Sequence, residues 1–231
     1  MRLQSIIALA LVAEVPAAAI ASAQGRQLPL ESTAGLRAHN VVVRPATHRG
    51  RKAVRVVVDS SVANQPDAET LAVIEGVQFS SGVIEAEIAG VPAPGAGEGA
   101  RGFVGIAFRL QPDMKTYDAF YLRPTNGRVD DQERRNHATQ YISHPDWPWF
   151  RLRRETPSRY ESYVDLVPDE WTPIRIEVRG DKARLFVHGQ EQPALVVNDV
   201  KSGASRSGAI ALWIGPGTVA HFRNLTIRPT P

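Results

Sequence analysis

Two acidic side chains on one predicted strand are the first candidates for chemistry. Glu85 and Glu87 alternate with Ile84, Ala86 and Ile88, so both carboxylates point to one face of an extended segment, about 7 Å apart. Cleavage of a glycosidic bond by two carboxylates needs about 5 to 9.5 Å between them, so the spacing permits a general acid and base. A solvated or arginine-paired strand face explains the same pattern, because catalytic pairs flank a sugar from opposite sides.

Aromatic and basic residues form a second candidate site. Their alternation predicts that Arg109, Tyr117, Tyr121 and Arg123 project from two strands on the side opposite the apolar residues. Tyrosine rings offer a stacking platform, and arginine together with Asp118 offers hydrogen bonds for sugar hydroxyls or a carboxylate. The alternative is the polar outer face of a sandwich.

The densest aromatic stretch of the chain is residues 146–150. Trp147 and Trp149 flank Pro148, which stiffens the segment, so an exposed indole there is ordered at little entropic cost and can stack on a sugar. The alternative is that both rings are core residues packed at the edge of the sandwich. Trp171 and Trp213 lie inside regular strand patterns and are predicted to be structural.

Metal sites have weak support in the sequence. The six histidines lack zinc-ligand spacing and there is no cysteine, so no metal ligands are assigned. Residues 126–137 hold oxygen ligands at a density that permits Ca²⁺, but they match no calcium-loop spacing, and a network of arginines and carboxylates is the favoured interpretation. The residues concerned are Asn126, Asp130, Asp131, Glu133, Asn136 and His137, with the competing Arg128, Arg134 and Arg135.

These candidates must be positioned by strands, because period-2 alternation recurs along the chain and no window shows the apolar stripe of a helix. About ten to thirteen short strands cannot form one flat sheet, so the sequence predicts an all-β sandwich or barrel. Gly180-Asp181 predicts a hairpin turn. The apolar residues of the last strand shift once out of their alternation, which predicts a bulge near Arg223-Asn224. Residues 90–101 and 125–149 are predicted to be long connections. The clearest strand patterns are 54–58, 83–88, 103–110, 117–123, 174–179, 183–187, 194–198, 208–214 and 222–227.

Several segments carry a family resemblance: 79–88, 102–109, 117–124, 171–180 and 222–227. In this order they resemble the concanavalin A-like lectin/glucanase superfamily, and within it the 3-keto-disaccharide hydrolase domain family, a relative of family 16 glycoside hydrolases. The resemblance implies a two-sheet antiparallel jelly roll whose concave sheet faces a carbohydrate. Family 16 glucanases carry the acids Glu-x-Asp-x-x-Glu, whereas this chain has Glu85-Ala86-Glu87 with Gly90 in the third position.

The N-terminal segment is typical of a secretory signal peptide. A positive start, the apolar run of residues 6–13 and Ala21-Ser22-Ala23 predict cleavage after Ala23. We therefore expect a signal peptide over 1–23, one domain over 24–231, and a periplasmic or secreted bacterial location. No later stretch is long and apolar enough for a membrane span. Acidic residues interleave with the basic ones, which argues against nucleic-acid binding.

Three functions fit these observations. The first is an exported carbohydrate-recognition domain that binds a glycan on the concave sheet. The second is a glycoside hydrolase on the same fold that uses Glu85 and Glu87. The third is an envelope protein that binds a protein partner through the same face. Two acids that face each other across a groove would favour catalysis, and aromatics without such a pair would favour binding.

Overall fold

A computed structural model of the chain describes residues 25–65 and 67–230, and the predicted signal peptide lies outside them. Strands dominate this part of the chain, with two short helices, α1 (Gln132–Asn136) and α2 (Trp149–Glu155). The fifteen strands are Arg26–Leu28 (β1), Leu36–His39 (β2), Val41–His48 (β3), Arg51–Val58 (β4), Leu71–Ile74 (β5), Gly82–Pro92 (β6), Val104–Leu110 (β7), Tyr117–Leu122 (β8), Thr139–His144 (β9), Glu161–Ser162 (β10), Thr172–Arg179 (β11), Lys182–Val187 (β12), Leu195–Val197 (β13), Ala209–Ile214 (β14) and Thr218–Pro229 (β15).

The strands form two antiparallel sheets. In the first sheet the order is β13-β12-β11-β6-β15-β4-β3, with β1 also paired to β15. In the second sheet the order is β10-β9-β8-β7-β14-β5-β2. The predicted all-β, two-sheet antiparallel sandwich is therefore confirmed.

The core lies between the sheets and follows the predicted alternation. Ile84, Ala86 and Ile88 of β6 are buried, as are Ile106 and Phe108 of β7. The predicted hairpin is present, because Arg179 pairs with Lys182 across Gly180-Asp181. The predicted bulge is present too, as a register shift in β15 between Arg223 and Thr226.

A sheet of a sandwich usually has one face exposed to solvent. The second sheet differs, because every residue of β7 and β8 is buried. Helix α2 packs against β9 of this sheet, with Leu152 buried. The prediction that 125–149 is one long connection is wrong, since it contains α1 and β9. Similarly, β6 continues to Pro92, so the connection predicted from residue 90 starts later.

Within the described residues, no helical segment has the length and apolar character needed to cross a bilayer.

Candidate functional site

The outer face of the second sheet holds a cavity of about 330 Å³. A volume of this size matches small-molecule sites, which are mostly apolar with a few converging polar groups. Strands β8, β9 and β14 line it, together with the start of α2, three prolines and the segment before β5. The lining includes Asp67, Glu69, Phe103, Tyr117, Tyr121, Ile142, His144, Pro145, Pro148, Trp149, Phe150, Trp213 and Pro216.

Two stacked aromatic rings form the floor. The Tyr121 and Trp213 ring centroids are 4.7 Å apart with an interplanar angle of 26°. Both residues pair with Gly105 of β7, which lies between their strands. Because glycine has no side chain, the two rings can lean together across it. Phe103 adds an edge contact to Tyr121, with centroids 6.0 Å apart.

The polar part of the cavity centres on Glu69. Its carboxylate accepts a hydrogen bond from the Tyr117 hydroxyl, and its Oε1 lies 2.9 Å from Nδ1 of His144. Trp213 Nε1 donates to the Tyr117 hydroxyl oxygen at 3.0 Å. Burial raises the pKa of Tyr117 well above its ordinary value of 10, and the Glu69 charge adds to this effect. The phenol therefore stays protonated and donates.

This contact orients the His144 ring. Nδ1 faces Oε1 of Glu69, and a carboxylate accepts hydrogen bonds, so Nε2 is the ring nitrogen left for a substrate. A histidine held in this way by a carboxylate has the arrangement of a general base with its orienting group.

Helix α2 supplies the exposed aromatic wall. Trp149 and Phe150 begin the helix, and 43% and 52% of their surfaces are accessible. Pro148 precedes them as the N-cap residue with extended backbone. The helix is fastened to the second sheet by buried Leu152 and by Arg153, whose Nε donates to Glu161 Oε2 at 3.0 Å. The helix that carries Trp149 and Phe150 is therefore held against the second sheet.

Arg123 is bonded to Tyr121 and does not line the cavity. Its Nη2 donates to the Tyr121 hydroxyl at 2.9 Å and to Gln140 Oε1 at 2.9 Å. Its Nη1 lies 3.2 Å from Glu161 Oε1. This placement does not support the predicted contact of Arg123 with a sugar, because buried partners occupy the guanidinium.

Of the other predicted binding residues, Tyr117, Tyr121 and Trp149 line the cavity. Tyr117 and Tyr121 are only 0% and 3% exposed, so they do not form the predicted open stacking platform, and of these three residues only Trp149 has an exposed ring. Trp147 does not line it. The ring of Trp147 is half-buried beneath two cations, with Arg151 Cζ at 3.9 Å and Lys201 Nζ at 4.6 Å from its centroid.

Arg109 and Asp118 lie on the other face of the second sheet, so their predicted position beside Tyr121 is wrong. Asp118 follows Tyr117 and therefore points inward, where it accepts a hydrogen bond from the Tyr141 hydroxyl at 2.6 Å. A register shift in the β7–β14 pairing and a left-handed φ of 56° turn Arg109 inward as well. Its guanidinium donates to the backbone oxygens of Ser80, Gly180 and Gly203.

Glu85 and Glu87 lie on the outer face of the first sheet, on the opposite side of the sandwich from the cavity. Glu85 pairs with Arg228 at 2.6 Å, and Glu87 pairs with Arg51 at 2.8 Å. Asn224 also donates to Glu87 at 2.7 Å. The expectation that they form an acid and base pair at the sugar site is not supported by this placement, and the arginine-paired alternative describes it.

The segment proposed for Ca²⁺ forms α1 and its flanks. Asp131 accepts a hydrogen bond from the Arg134 backbone at 3.0 Å as the N-cap of the helix, and Arg128 pairs with Asp165 at 2.7 Å. Calcium binding stays an untested prediction.

Sequence reasoning missed Glu69, His144 and Trp213. Trp213 was predicted to be structural because it alternates with Leu212 and Ile214, yet the same parity places its indole on the cavity face. Glu69 and His144 belong to no motif, and only the fold brings them together.

A model of the 3-keto-alpha-glucoside-1,2-lyase-like domain matches residues 42–228. The chain belongs to this family. The resemblance inferred from the sequence is thereby confirmed, and comparison with curated proteins finds no match.

Solved structures similar to this family member share its fold. The carbohydrate binding module CBM66 from Bacillus subtilis has a TM-score of 0.54 and 13% identity, covering 84% of this chain and 95% of that one. A protein of unknown function with a galectin-like fold, also from Bacillus subtilis, has a TM-score of 0.53 and 12% identity over 88% and 94%. The Crh5 transglycosylase in complex with NAG has a TM-score of 0.52 and 10% identity over 91% and 86%. The fold is a concanavalin A-like jelly roll.

Proposed function

We propose that the chain binds a carbohydrate in the cavity on the outer face of the second sheet. The observation that carries this proposal is the convergence, at one cavity, of the exposed Trp149 and Phe150 rings with the Glu69–His144 pair. Flat aromatic faces suit the apolar face of a sugar, and the carboxylate and imidazole suit its hydroxyls. The volume of about 330 Å³ suits a small ligand.

The family and the neighbouring folds support this proposal. The family description names a glucoside lyase, and the similar structures include a carbohydrate binding module and a transglycosylase in complex with NAG. The exposed rings of Trp149 and Phe150 are the part of the cavity that would serve binding, whatever chemistry accompanies it.

A second candidate function is elimination from a 3-keto glucoside. His144 Nε2 would take the proton from C2, which the neighbouring ketone makes acidic. The C2–H electron pair then forms the C1=C2 double bond, and the C1–O bond breaks with its electrons leaving on oxygen, which takes a proton from water. Glu69 orients His144 and stabilises the imidazolium. The observation that favours this candidate over binding alone is the carboxylate-held imidazole in an aromatic cavity.

Titration calorimetry of the full chain against a panel of mono- and disaccharides tests binding. Trp149→Ala removes an exposed wall ring, and we expect it to weaken sugar binding at least about tenfold. Tyr163→Ala is the matched control, because Tyr163 is an exposed aromatic outside the cavity lining. No sugar binding by the parent, or equal affinity in the Trp149 variant, would contradict the proposal.

Turnover of a 3-keto glucoside separates the two candidates. We expect Glu69→Gln and His144→Asn each to lower the rate at least about 100-fold, while Glu75→Gln, an exposed carboxylate, has parental activity. Binding of the glucoside without release of its aglycone would leave recognition as the function.

Export belongs to the same proposal, since residues 1–23 are typical of a secretory signal peptide. Residues 1–23 fused to a reporter that is active only in the periplasm should export it, and deletion of residues 6–13 should prevent this. Cytoplasmic retention of the intact fusion would contradict export.

A further inference from the structure

A second cluster of ligating side chains lies on the other side of the sandwich. His48 ends β3, His221 lies within β15, and Asp169 precedes β11. One ligand atom from each of these three residues lies within 4.8 Å of the other two. All three residues lie on the outer face of the first sheet and none of them lines the sugar cavity.

The two histidines are packed in an unusual way. Their rings are stacked with centroids 4.0 Å apart and an interplanar angle of 7°, and the Trp171 indole meets His48 edge-on at 5.2 Å. Both histidines are more than nine-tenths buried, at 9% and 8% exposure. Packing therefore holds the two imidazoles next to each other before any ligand arrives.

One nitrogen of this cluster has no partner. Nδ1 of His221 is buried and makes no hydrogen bond to any described residue. Buried polar atoms in proteins are almost always bonded, and an exception calls for an explanation such as an ion. Asp169, with 41% of its side chain exposed, provides access from solvent.

We propose that His48, Asp169 and His221 bind one Zn²⁺ ion. Two imidazoles and one carboxylate form a ligand set that zinc accepts, with water in the fourth position. The absence of cysteine and the single carboxylate argue against a site for soft Cu⁺ or for Ca²⁺.

Binding requires a local rearrangement of these side chains. Zinc ligands at about 2.0 to 2.2 Å in a tetrahedron are about 3.3 to 3.6 Å apart. His48 Nε2 is 3.6 Å from Asp169 Oδ1, so this pair is nearly in place. His221 must turn its ring toward the other two, and the ion replaces the 2.8 Å contact between His48 Nε2 and the Asp169 backbone oxygen.

Two hydrogen bonds to its backbone hold Asp169 in position. Arg49 Nε donates to the Asp169 backbone oxygen at 2.8 Å, and the Asp169 N–H donates to Gly90 O at 3.0 Å. An ion at this point would link the end of β3, the middle of β15 and the turn before β11. Its role would be to brace the first sheet.

Competition with a chromophoric chelator, using Zn²⁺ alone as the probe and metal-stripped full chain, tests the site. We expect the parent to bind one Zn²⁺ and its melting temperature to rise with the ion. Asp169→Asn and His221→Asn should each weaken binding by more than the roughly 10- to 100-fold that loss of an outer partner costs. His39→Asn, a histidine on β2 of the second sheet, is the matched control and should bind as the parent does.

Asp169→Asn keeps the test valid if His221→Asn fails to fold, because Asp169 is half-exposed. Circular dichroism establishes the fold of each variant. No stoichiometric Zn²⁺ in the parent would overturn the proposal, and so would parental affinity in a folded Asp169 variant.

Discussion

Nδ1 of His144 lies 2.9 Å from Oε1 of Glu69, although the strands next to these residues are far apart in the second sheet. His144 ends β9 and Glu69 precedes β5, and three strands, β8, β7 and β14, lie between β9 and β5. The contact therefore spans the outer face of the sheet. Tyr117 of β8 and Trp213 of β14 bridge the gap with their own hydrogen bonds, so the polar site and the aromatic floor form one connected unit.

Tyr117→Phe should destabilise the protein. The substitution removes the hydroxyl that accepts from Trp213 Nε1 and donates to Glu69. It leaves the indole N–H without its acceptor, which costs about 1 to 3 kcal/mol in the free energy of unfolding. Urea denaturation measures this loss.

Tyr163→Phe is the control for that experiment. Its hydroxyl accepts from Arg135 at 2.9 Å, but the ring is exposed, so the change should stay within about 0.5 kcal/mol. Equal effects of the two substitutions would show that the hydroxyl of Tyr117 has no structural role.

Arg123→Met should have a larger effect. Glu161, whose side chain is 2% exposed, would lose one of its two arginine partners, and Tyr121 and Gln140 would lose their donor. Removing one partner of a buried ion pair costs about 3 to 5 kcal/mol. Chemical denaturation of the variant against the parent checks this value.

Arg128→Met provides the comparison. Arg128 pairs with Asp165 at 2.7 Å, but both side chains are more than half exposed, and such surface pairs contribute little to stability. A loss of stability for Arg123→Met as small as that of the surface variant would contradict the supporting role of Arg123.

The sequence predicts the fold well where strands have one buried face. Alternation in β6 and β11 is clean because Glu85 and Arg175 face away from the core that Ile84 and Ile176 fill. It fails at β9, where Thr139 and Gln140 are both buried. Their polar atoms bond to Ser162 and Arg123, so burial there depends on partners that a local pattern does not reveal.

The site was predicted only in part, for a similar reason. Tyr117 and Tyr121 reach the cavity because strand parity carries them there. Arg109 does not, because a register shift and a left-handed φ reverse its direction, and nothing in the local sequence marks that bulge. Glu69 lies in the loop before β5. Strand alternation does not predict the path of a loop, so it does not predict that Glu69 reaches His144.

Gly105→Ala should disturb the aromatic floor. A Cβ atom at this position would lie 2.2 Å from the Phe120 backbone oxygen and 2.6 Å from Tyr121 Cα, so backbone must move. Overpacking of this kind costs about 1 to 3 kcal/mol, and the displaced Tyr121 should also weaken sugar binding. Gly97→Ala, where a Cβ meets nothing within 4 Å, is the matched control. Parental stability and sugar affinity in Gly105→Ala would contradict the close approach of β7 and β8.

Protonation of His137 should lower the free energy of unfolding in mild acid. Burial lowers the pKa of His137 below its ordinary value of 6.5; the Glu161 carboxylate opposes this shift, while the Arg153 and Arg123 guanidinium groups add to it. The unfolded chain therefore binds a proton at a higher pH than the folded chain does. The contribution of His137 is fully present above pH 6.5 and is lost as the pH falls from there through the folded-state pKa.

His137→Gln removes this titration, so its unfolding free energy should fall less than that of the parent between pH 7.5 and 5.5. Urea denaturation at both pH values, with EDTA present, measures the difference. The two proteins share all other titrating groups, so the comparison isolates His137. Identical losses in the two proteins would mean that His137 binds its proton equally well in the folded and unfolded chains.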